Sequence, residues 1–239
     1  IDFTAQHFSV NSDDIVFERN IIKAGEQSIS FVELVQKAYF SRISLSSTGF
    51  YRTPKIYYDR ENAKGRPFFY FAMGASISEV LIDTLTGEYK LLQADILHDV
   101  GDSLNPAIDI GQIEGGFIQG MGWLTTEELH WNTQGRLLTT GPATYKIPAI
   151  SDTPKIFNVE LLQDSANREA TIYHSKAVGE PPLMLAISVW SALRDAIANS
   201  LEGERKLGLT VALDTPATPE RVLKAIQSIA DKQEVAKNG

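Results

Sequence analysis

Two stretches of this sequence place reactive or ligand-holding groups where ordinary core packing has little use for them. In Lys176-Ala-Val-Gly-Glu-Pro-Pro182 a single carboxylate stands between a glycine and two prolines. A residue before proline is pushed towards extended backbone, and proline is already shaped for a first helical position. Glu180 is therefore expected at an N-cap or just outside it. A carboxylate held there has two uses: it can cap the helix by accepting free amides, or it can serve as a fixed, partly desolvated general base. Burial beneath the apolar run Leu183-Met-Leu-Ala-Ile-Ser-Val-Trp-Ser-Ala-Leu193 favours the neutral acid, whereas the helix dipole favours the anion. Residue type and spacing leave both uses open.

The second stretch is Asn105-Pro-Ala-Ile-Asp-Ile-Gly-Gln-Ile-Glu-Gly-Gly-Phe-Ile-Gln-Gly-Met-Gly-Trp123. At 100° per residue, Ile110, Ile113, Phe117, Met121 and Leu124 form one apolar stripe that should face the core. Opposite it fall Gln112 and Gln119, surrounded by Gly111, Gly115, Gly116, Gly120 and Gly122. Each interior glycine costs a helix about 1 kcal/mol relative to alanine, so something large must lie against this face. It is either another element pressed close or a bulky cofactor held by neutral amide hydrogen bonds.

Other chemistries find little support. Gly120-Met-Gly122 lacks the third glycine of a dinucleotide fingerprint and ends a helix instead of opening one; no phosphate loop and no Gly-x-Ser-x-Gly elbow occurs. His7, His98, His130 and His174 are scattered, and the chain has no cysteine, so no metal ligation by its own side chains is expected. Lys and Arg number 22 against 30 Asp and Glu, a net charge of -8, which argues against nucleic acid. No apolar run approaches a membrane span and no leader precedes Ile1, so a soluble, cytoplasmic setting is expected. Opening on Ile1 in mid-sequence points to a fragment or processed piece.

The elements that must hold these groups can be read coarsely. Of 239 residues, 43% are apolar, enough for one large core or two modest ones. Ile15–Phe17 and Ile21–Lys23 read as strands, and Ser30-Phe-Val-Glu33 as a capping box opening a helix to about Phe40. Pro67–Met73, Glu79–Asp83 and Tyr89–Leu97 read as strands, the last two joined by a turn at Thr84–Gly87 into a hairpin. Asn105-Pro106 starts a helix to about Leu124, Lys155–Leu162 is a strand, and Pro181 opens a long helix to about Asn199 that is apolar nearly all round. Gly203 and Gly208 mark a loop, and Thr218-Pro219-Glu220 caps a last helix. Unequal blocks of strands and helices make the class α+β, with antiparallel or mixed sheets and packed helices. The expected division is a small unit over 1–45, a core over 46–200, and a loop and C-terminal helix over 201–239.

Five strings occur in an order that resembles the molybdenum hydroxylase family. They are Ser47-Thr-Gly-Phe-Tyr-Arg-Thr-Pro54, Ser103-Leu-Asn-Pro-Ala-Ile-Asp-Ile-Gly-Gln-Ile-Glu-Gly-Gly-Phe117, Gly141-Pro-Ala-Thr-Tyr-Lys-Ile-Pro148, Ser175-Lys-Ala-Val-Gly-Glu-Pro-Pro-Leu183 and Leu213-Asp-Thr-Pro-Ala-Thr-Pro219. The resemblance runs from about Ala38 to Ile226, and the first string is closer to the xanthine dehydrogenase branch than to the aldehyde branch. It implies the C-terminal half of a molybdopterin-binding domain in an oxidoreductase of purine metabolism that hydroxylates hypoxanthine and xanthine to urate. It further implies Glu180 as catalytic base, with Gln112 and Gly179 against the molybdenum cofactor. Iron–sulfur clusters, FAD and NAD would belong to other parts of the enzyme. The implied partners are its remaining segments or subunits, a purine substrate and, in the complete enzyme, further copies of itself. The chain alone is expected to be inactive.

Two other accounts compete. One is a non-catalytic scaffold whose glycine face packs on a protein partner. The other is a hydrolase pairing Glu180 with Asp109 or Glu114, which the wheel disfavours because Asp109 points away from the Gln112 and Gln119 direction.

Overall fold

The computed structural model describes residues 1–200 and 211–238; the loop expected around Gly203 and Gly208 lies outside the described residues. Two compact units result, Ile1–Pro54 and Lys55–Gly239. In the first, helix α1 (Asp2–Phe8) precedes an antiparallel sheet of β1 (Ile15–Glu18), β2 (Ile21–Ala24) and β3 (Gln27–Ser30), followed by α2 (Phe31–Phe40). The capping box is present: Glu33 N donates to Ser30 Oγ at 3.2 Å, and Ser30 N donates to Glu33 Oε2 at 3.3 Å. Ile15, Ile22, Ala24 and Leu34 make its small core. Helix α1 and strand β3 carry too little apolar periodicity to be read from sequence.

The second unit opens with a short antiparallel pair, β4 (Tyr57–Asp59) and β5 (Lys64–Arg66). The expected strand over Pro67–Met73 does not form. Arg66 Nη2 donates to the Phe69 carbonyl at 3.0 Å, which curls the chain, and among the described residues no strand pairs with it. The strand begins at Gly74 instead: β6 (Gly74–Ile82) pairs antiparallel with β7 (Tyr89–His98), and β8 (Ile156–Leu161) joins β7 in parallel, a mixed sheet. Helix α3 (Pro106–Thr125) lies between β7 and β8 in the chain, with the Asn105 side chain accepting from Ile108 N at 3.4 Å and Pro106 in the first turn. Ala94 and Ile96 on one face of β7 meet Ile113, Phe117, Met121 and Leu124 of α3, and the Phe117 ring lies 5.5 Å from Phe157 of β8. Ile110, expected in this stripe, is only half-buried because it sits in the first turns, beyond the sheet.

The chain after Glu180 is not one long helix. Pro181–Ala186 is a 3-10 turn, and α4 (Ile187–Asn199) continues from it. Nor is it apolar all round in its setting: Val189, Leu193 and Ile197 are buried one turn apart, while Met184 and Ile187 are exposed. The hydroxyl of Ser188 lies 2.8 Å from that of Ser76 and 2.7 Å from that of Ser78, fastening the start of α4 to β6. Helix α5 (Pro219–Asn238) closes a second core with Leu193 and Ile197 of α4. Its approach is tied to the end of α3, where Ala217 N donates to Leu124 O at 2.7 Å and Arg221 reaches Glu128 at 2.7 Å. No helix among the described residues is long and apolar enough to cross a membrane.

The five glycines of α3 divide by what surrounds them. A Cβ on Gly116 would stand 3.0 Å from Pro182 Cβ, and one on Gly120 would collide with the Leu183 carbonyl oxygen. A Cβ on Gly122 would meet the ring of Pro148. Those on Gly111 and Gly115 would meet nothing within 4 Å. The expectation of another element pressed against this face holds for Gly116, Gly120 and Gly122, while the strip at Gly111 and Gly115 is bare. Gly120→Ala should lower stability by about 1–3 kcal/mol through overpacking, whereas Gly115→Ala should raise it by about 0.5–1 kcal/mol, as helix propensity alone dictates. Thermal unfolding of the two variants checks the contrast.

Candidate functional site

The backbone contact between α3 and the 3-10 turn sets the site. Gln112, Gly116 and Gly120 form one i, i+4, i+8 row along α3. Gly120 meets Leu183 and Ala186, and Gly116 meets Pro182. One turn further towards the N-terminus, Gln112 reaches Gly179: a Cβ built on that glycine would be 3.8 Å from Gln112 Oε1. Gln112 and Gly179, singled out separately in the sequence, therefore meet, and Glu180 is the next residue along the chain. All three are exposed, as are Gln119, Gly111 and Gly115 on the same side of α3. The result is a neutral amide beside the glycine that precedes Glu180, on a helix face partly bare of side chains.

Glu180 occupies the N-cap position, as expected, but it is not a cap. Its side chain makes no capping hydrogen bond. The physical reason lies in the next two residues: a cap normally serves the amides of the first turn, and Pro181 and Pro182 have none. The next amide, Leu183 N, is taken by the carbonyl of Glu180 at 3.1 Å. To accept that bond Glu180 adopts φ -103°, ψ -39°, helical instead of the extended backbone expected before proline. The expected desolvation is also absent within this chain, where Glu180 is exposed.

The loop that leads to Glu180 rests on groups the sequence reading passed over. Lys176 Nζ donates to Asp99 Oδ2 at 2.5 Å, with the two side chains only 11% and 10% exposed. Asp99 Oδ1 also accepts from Gly101 N at 2.9 Å. Burial pushes the Asp99 carboxyl up, but the Lys176 hydrogen bond, the Gly101 amide and the Lys176 charge outweigh it and hold the group below its ordinary value. Next to it, His98 is buried, and neither of its ring nitrogens has a hydrogen-bond partner among the described residues. Burial keeps its imidazole below the usual value against the pull of Asp99. His7, His130 and His174 are exposed, and the described residues contain no group of His, Asp and Glu fit to hold a metal ion. A cavity of about 660 Å3 lies beside the Asp99–Lys176 pair, between Arg66–Met73 and Asp164–Glu169, and neither Gln112 nor Glu180 lines it. Lys176 stood inside a conspicuous string, but its partner lies 77 residues away, and no spacing rule connects them.

The competing hydrolase is weakened: Asp109 Oδ2 accepts from Ser103 Oγ at 2.5 Å, which fixes it to its own loop. The bare strip at Gly111 and Gly115, next to two exposed primary amides, leaves room on this face for a bulky polar group such as the molybdenum cofactor.

The pattern of the molybdopterin cofactor-binding domain matches residues 1–154. The chain is 52% identical over 205 residues to xanthine dehydrogenase/oxidase of Mus musculus, covering 85% of this chain and 15% of that protein. It is 49% identical over 211 residues to xanthine dehydrogenase of Oryza sativa subsp. japonica, again covering 85% and 15%. It therefore spans about 15% of the length of these relatives. Among solved structures, quinoline 2-oxidoreductase from Pseudomonas putida 86 superposes with a TM-score of 0.57 at 26% identity, covering 94% of this chain and 27% of that one. Aldehyde oxidoreductase from Desulfovibrio gigas shares the fold, with a TM-score of 0.58 at 21% identity over 80% of this chain and 20% of that one.

Because the folded value of Asp99 is depressed, its pairing stabilises the fold fully above the ordinary carboxylate value near 4, and that share is lost as pH falls through the depressed one. Acid titration of the unfolding midpoint should show this loss below about pH 4. Asp99→Asn should flatten the slope, and at neutral pH it should cost about 3–5 kcal/mol by leaving Lys176 buried without its counter-charge.

Proposed function

The chain belongs to the molybdopterin cofactor-binding domain family, and from that membership we propose that it forms one wall of the active site of a xanthine dehydrogenase-type molybdenum hydroxylase acting on purines. The observation that carries this reading is the meeting of Gln112 with Gly179 beside an uncapped Glu180. Gln112, with the bare strip at Gly111 and Gly115, would hold the cofactor. When bound, that group supplies the redox and Lewis-acid chemistry, taking up two electrons as a ring carbon is hydroxylated.

The residues of this chain do three things. Gln112 offers a neutral amide, which can both donate and accept hydrogen bonds and so orients oxygen-bearing groups without adding charge. Gly179 keeps the space beside that amide free of a side chain. Glu180 holds an anionic carboxylate that no first-turn amide neutralises, so its lone pairs remain free to take a proton. Other parts of the enzyme, closing over the exposed side of α3, would exclude water from the site. They would also supply the iron–sulfur clusters, the flavin and the remaining substrate contacts. The purine assignment draws on the names of the relatives and on the Gly49-Phe-Tyr-Arg-Thr-Pro54 string.

In the complete enzyme, Glu180→Gln keeps the shape and most hydrogen bonding of the side chain but removes its ability to accept a proton. Turnover of xanthine should fall by about 10²–10⁴-fold, with molybdenum content and folding little changed. A variant that turns over normally while losing stability would make Glu180 a structural residue. Gln112→Ala should lower cofactor occupancy or rate by about the 1 kcal/mol of a lost hydrogen bond, read by metal analysis alongside kinetics.

A further inference from the structure

We propose that Tyr70, together with the Asp99–Lys176 ion pair, positions the Glu180 carboxylate through the backbone of residues 175–180. The inference rests on the reading of Glu180 as the base. Residues 176–180 lie in neither helix nor strand, so nothing regular holds the segment that delivers Glu180. It is fastened instead to the end of β7 and to the irregular segment after β5. Ser175 makes an isolated antiparallel bridge with Gly101, and Lys176 N donates to Val100 O at 2.8 Å. The Asp99 carboxylate grips both sides of this junction, accepting from Gly101 N with one oxygen and from Lys176 Nζ with the other. Gly101 allows the close approach: its φ is +64°, and a Cβ there would collide with the His174 carbonyl oxygen. One residue on, Ala177 N donates to the Tyr70 hydroxyl at 2.9 Å.

Beyond that bond, the next backbone hydrogen bond among the described residues is Leu183 N to Glu180 O. Val178 and Gly179 make no backbone hydrogen bond between these two anchors; Val178 packs on the core of α3, β7 and β8, and Gly179 lies against Gln112. Glu180 stands three residues, at most about 10 Å of chain, from the Ala177 anchor, so a shift of that anchor is carried to the backbone of Glu180. Misplacement of a reacting group by about 1 Å can cost 10²-fold in rate. The chemistry of the anchors fits this use. A buried ion pair adds little net stability over an apolar pair of the same size, but it fixes one register, because each charge must find its partner. The tyrosine hydroxyl offers a single acceptor to a single amide, on a ring set in the wall of the cavity.

The test uses the full-length enzyme. Tyr70→Phe removes one hydroxyl and leaves the ring. The expected result is a fall in kcat of about five- to tenfold, with KM and molybdenum content unchanged, the rate equivalent of one lost hydrogen bond. In a Glu180→Gln background the same change should cost nothing further, because a positioning residue has no effect once the group it positions is gone. Lys176→Gln should act in the same direction and more strongly; if it fails to fold, Tyr70→Phe decides alone. Wild-type kcat for Tyr70→Phe, in an enzyme that Glu180→Gln inactivates, overturns the positioning role and leaves the base assignment standing. An equal loss in both backgrounds also overturns it, since the hydroxyl would then act on something other than Glu180. Full turnover by Glu180→Gln alone removes the base reading, and this inference with it.

Discussion

The site depends on how closely one stretch of backbone can approach a helix. Gly116 and Gly120 let the Pro182–Leu183 backbone lie directly on α3, at a distance where a single methyl group would collide. The two segments run in the same direction along this contact. Ala186 and Leu183 meet Gly120, Pro182 meets Gly116, and Gly179 meets Gln112. The register of the glycine row therefore sets the distance from the amide to the turn that carries the carboxylate. A helix with ordinary side chains at 116 and 120 would hold the turn farther off, and Gln112 would no longer reach Gly179. The cost of those glycines in helix propensity is about 0.5–1 kcal/mol each, and close packing against the turn and the sheet behind it offsets it.

The two prolines have a second effect that follows from their lack of N–H. At most helix starts the first amides would draw a nearby carboxylate into a cap, where hydrogen bonds stabilise the anion and lower its basicity. Here the first turn has one amide to give, and the Glu180 carbonyl takes it. The backbone that fixes the carboxylate in place thus withholds the donors that would quiet it. Position and reactivity, which usually oppose each other at a helix N-terminus, are separated by two residues of sequence.

Much of this was legible in advance. The capping box at Ser30, the Asn105-Pro106 start of α3, the β6–β7 hairpin and the apolar stripe of α3 follow from local periodicity and capping chemistry, which need no tertiary partner. The absence of a cap at Glu180 was also legible, since two consecutive prolines remove the first two donors. What sequence did not reveal was pairing over long separations. Asp99 with Lys176 and Tyr70 with Ala177 join residues that no periodicity links. Pro67–Met73 has strand-like composition but no neighbouring strand, and a ladder needs two sides.

Gly111 and Gly115 remain the residues with no account inside this chain. They weaken the same helix as Gly116 and Gly120, yet nothing within 4 Å would be displaced by a methyl group at either position. In a helix of this length a bare, exposed strip returns no packing energy, and nothing among the described residues compensates it. The groups bordering it narrow the kind of contact that can supply this. Gln112 and Gln119 are neutral, and both donate and accept, so the strip suits a polar body with mixed hydrogen-bonding needs better than an apolar protein surface. A surface of that second kind would find buried amides without partners, at about 1–3 kcal/mol for each group left unsatisfied. The same helix thus turns two glycines inward to admit its own backbone and two outward to admit something else, with Gln112 at the boundary between them.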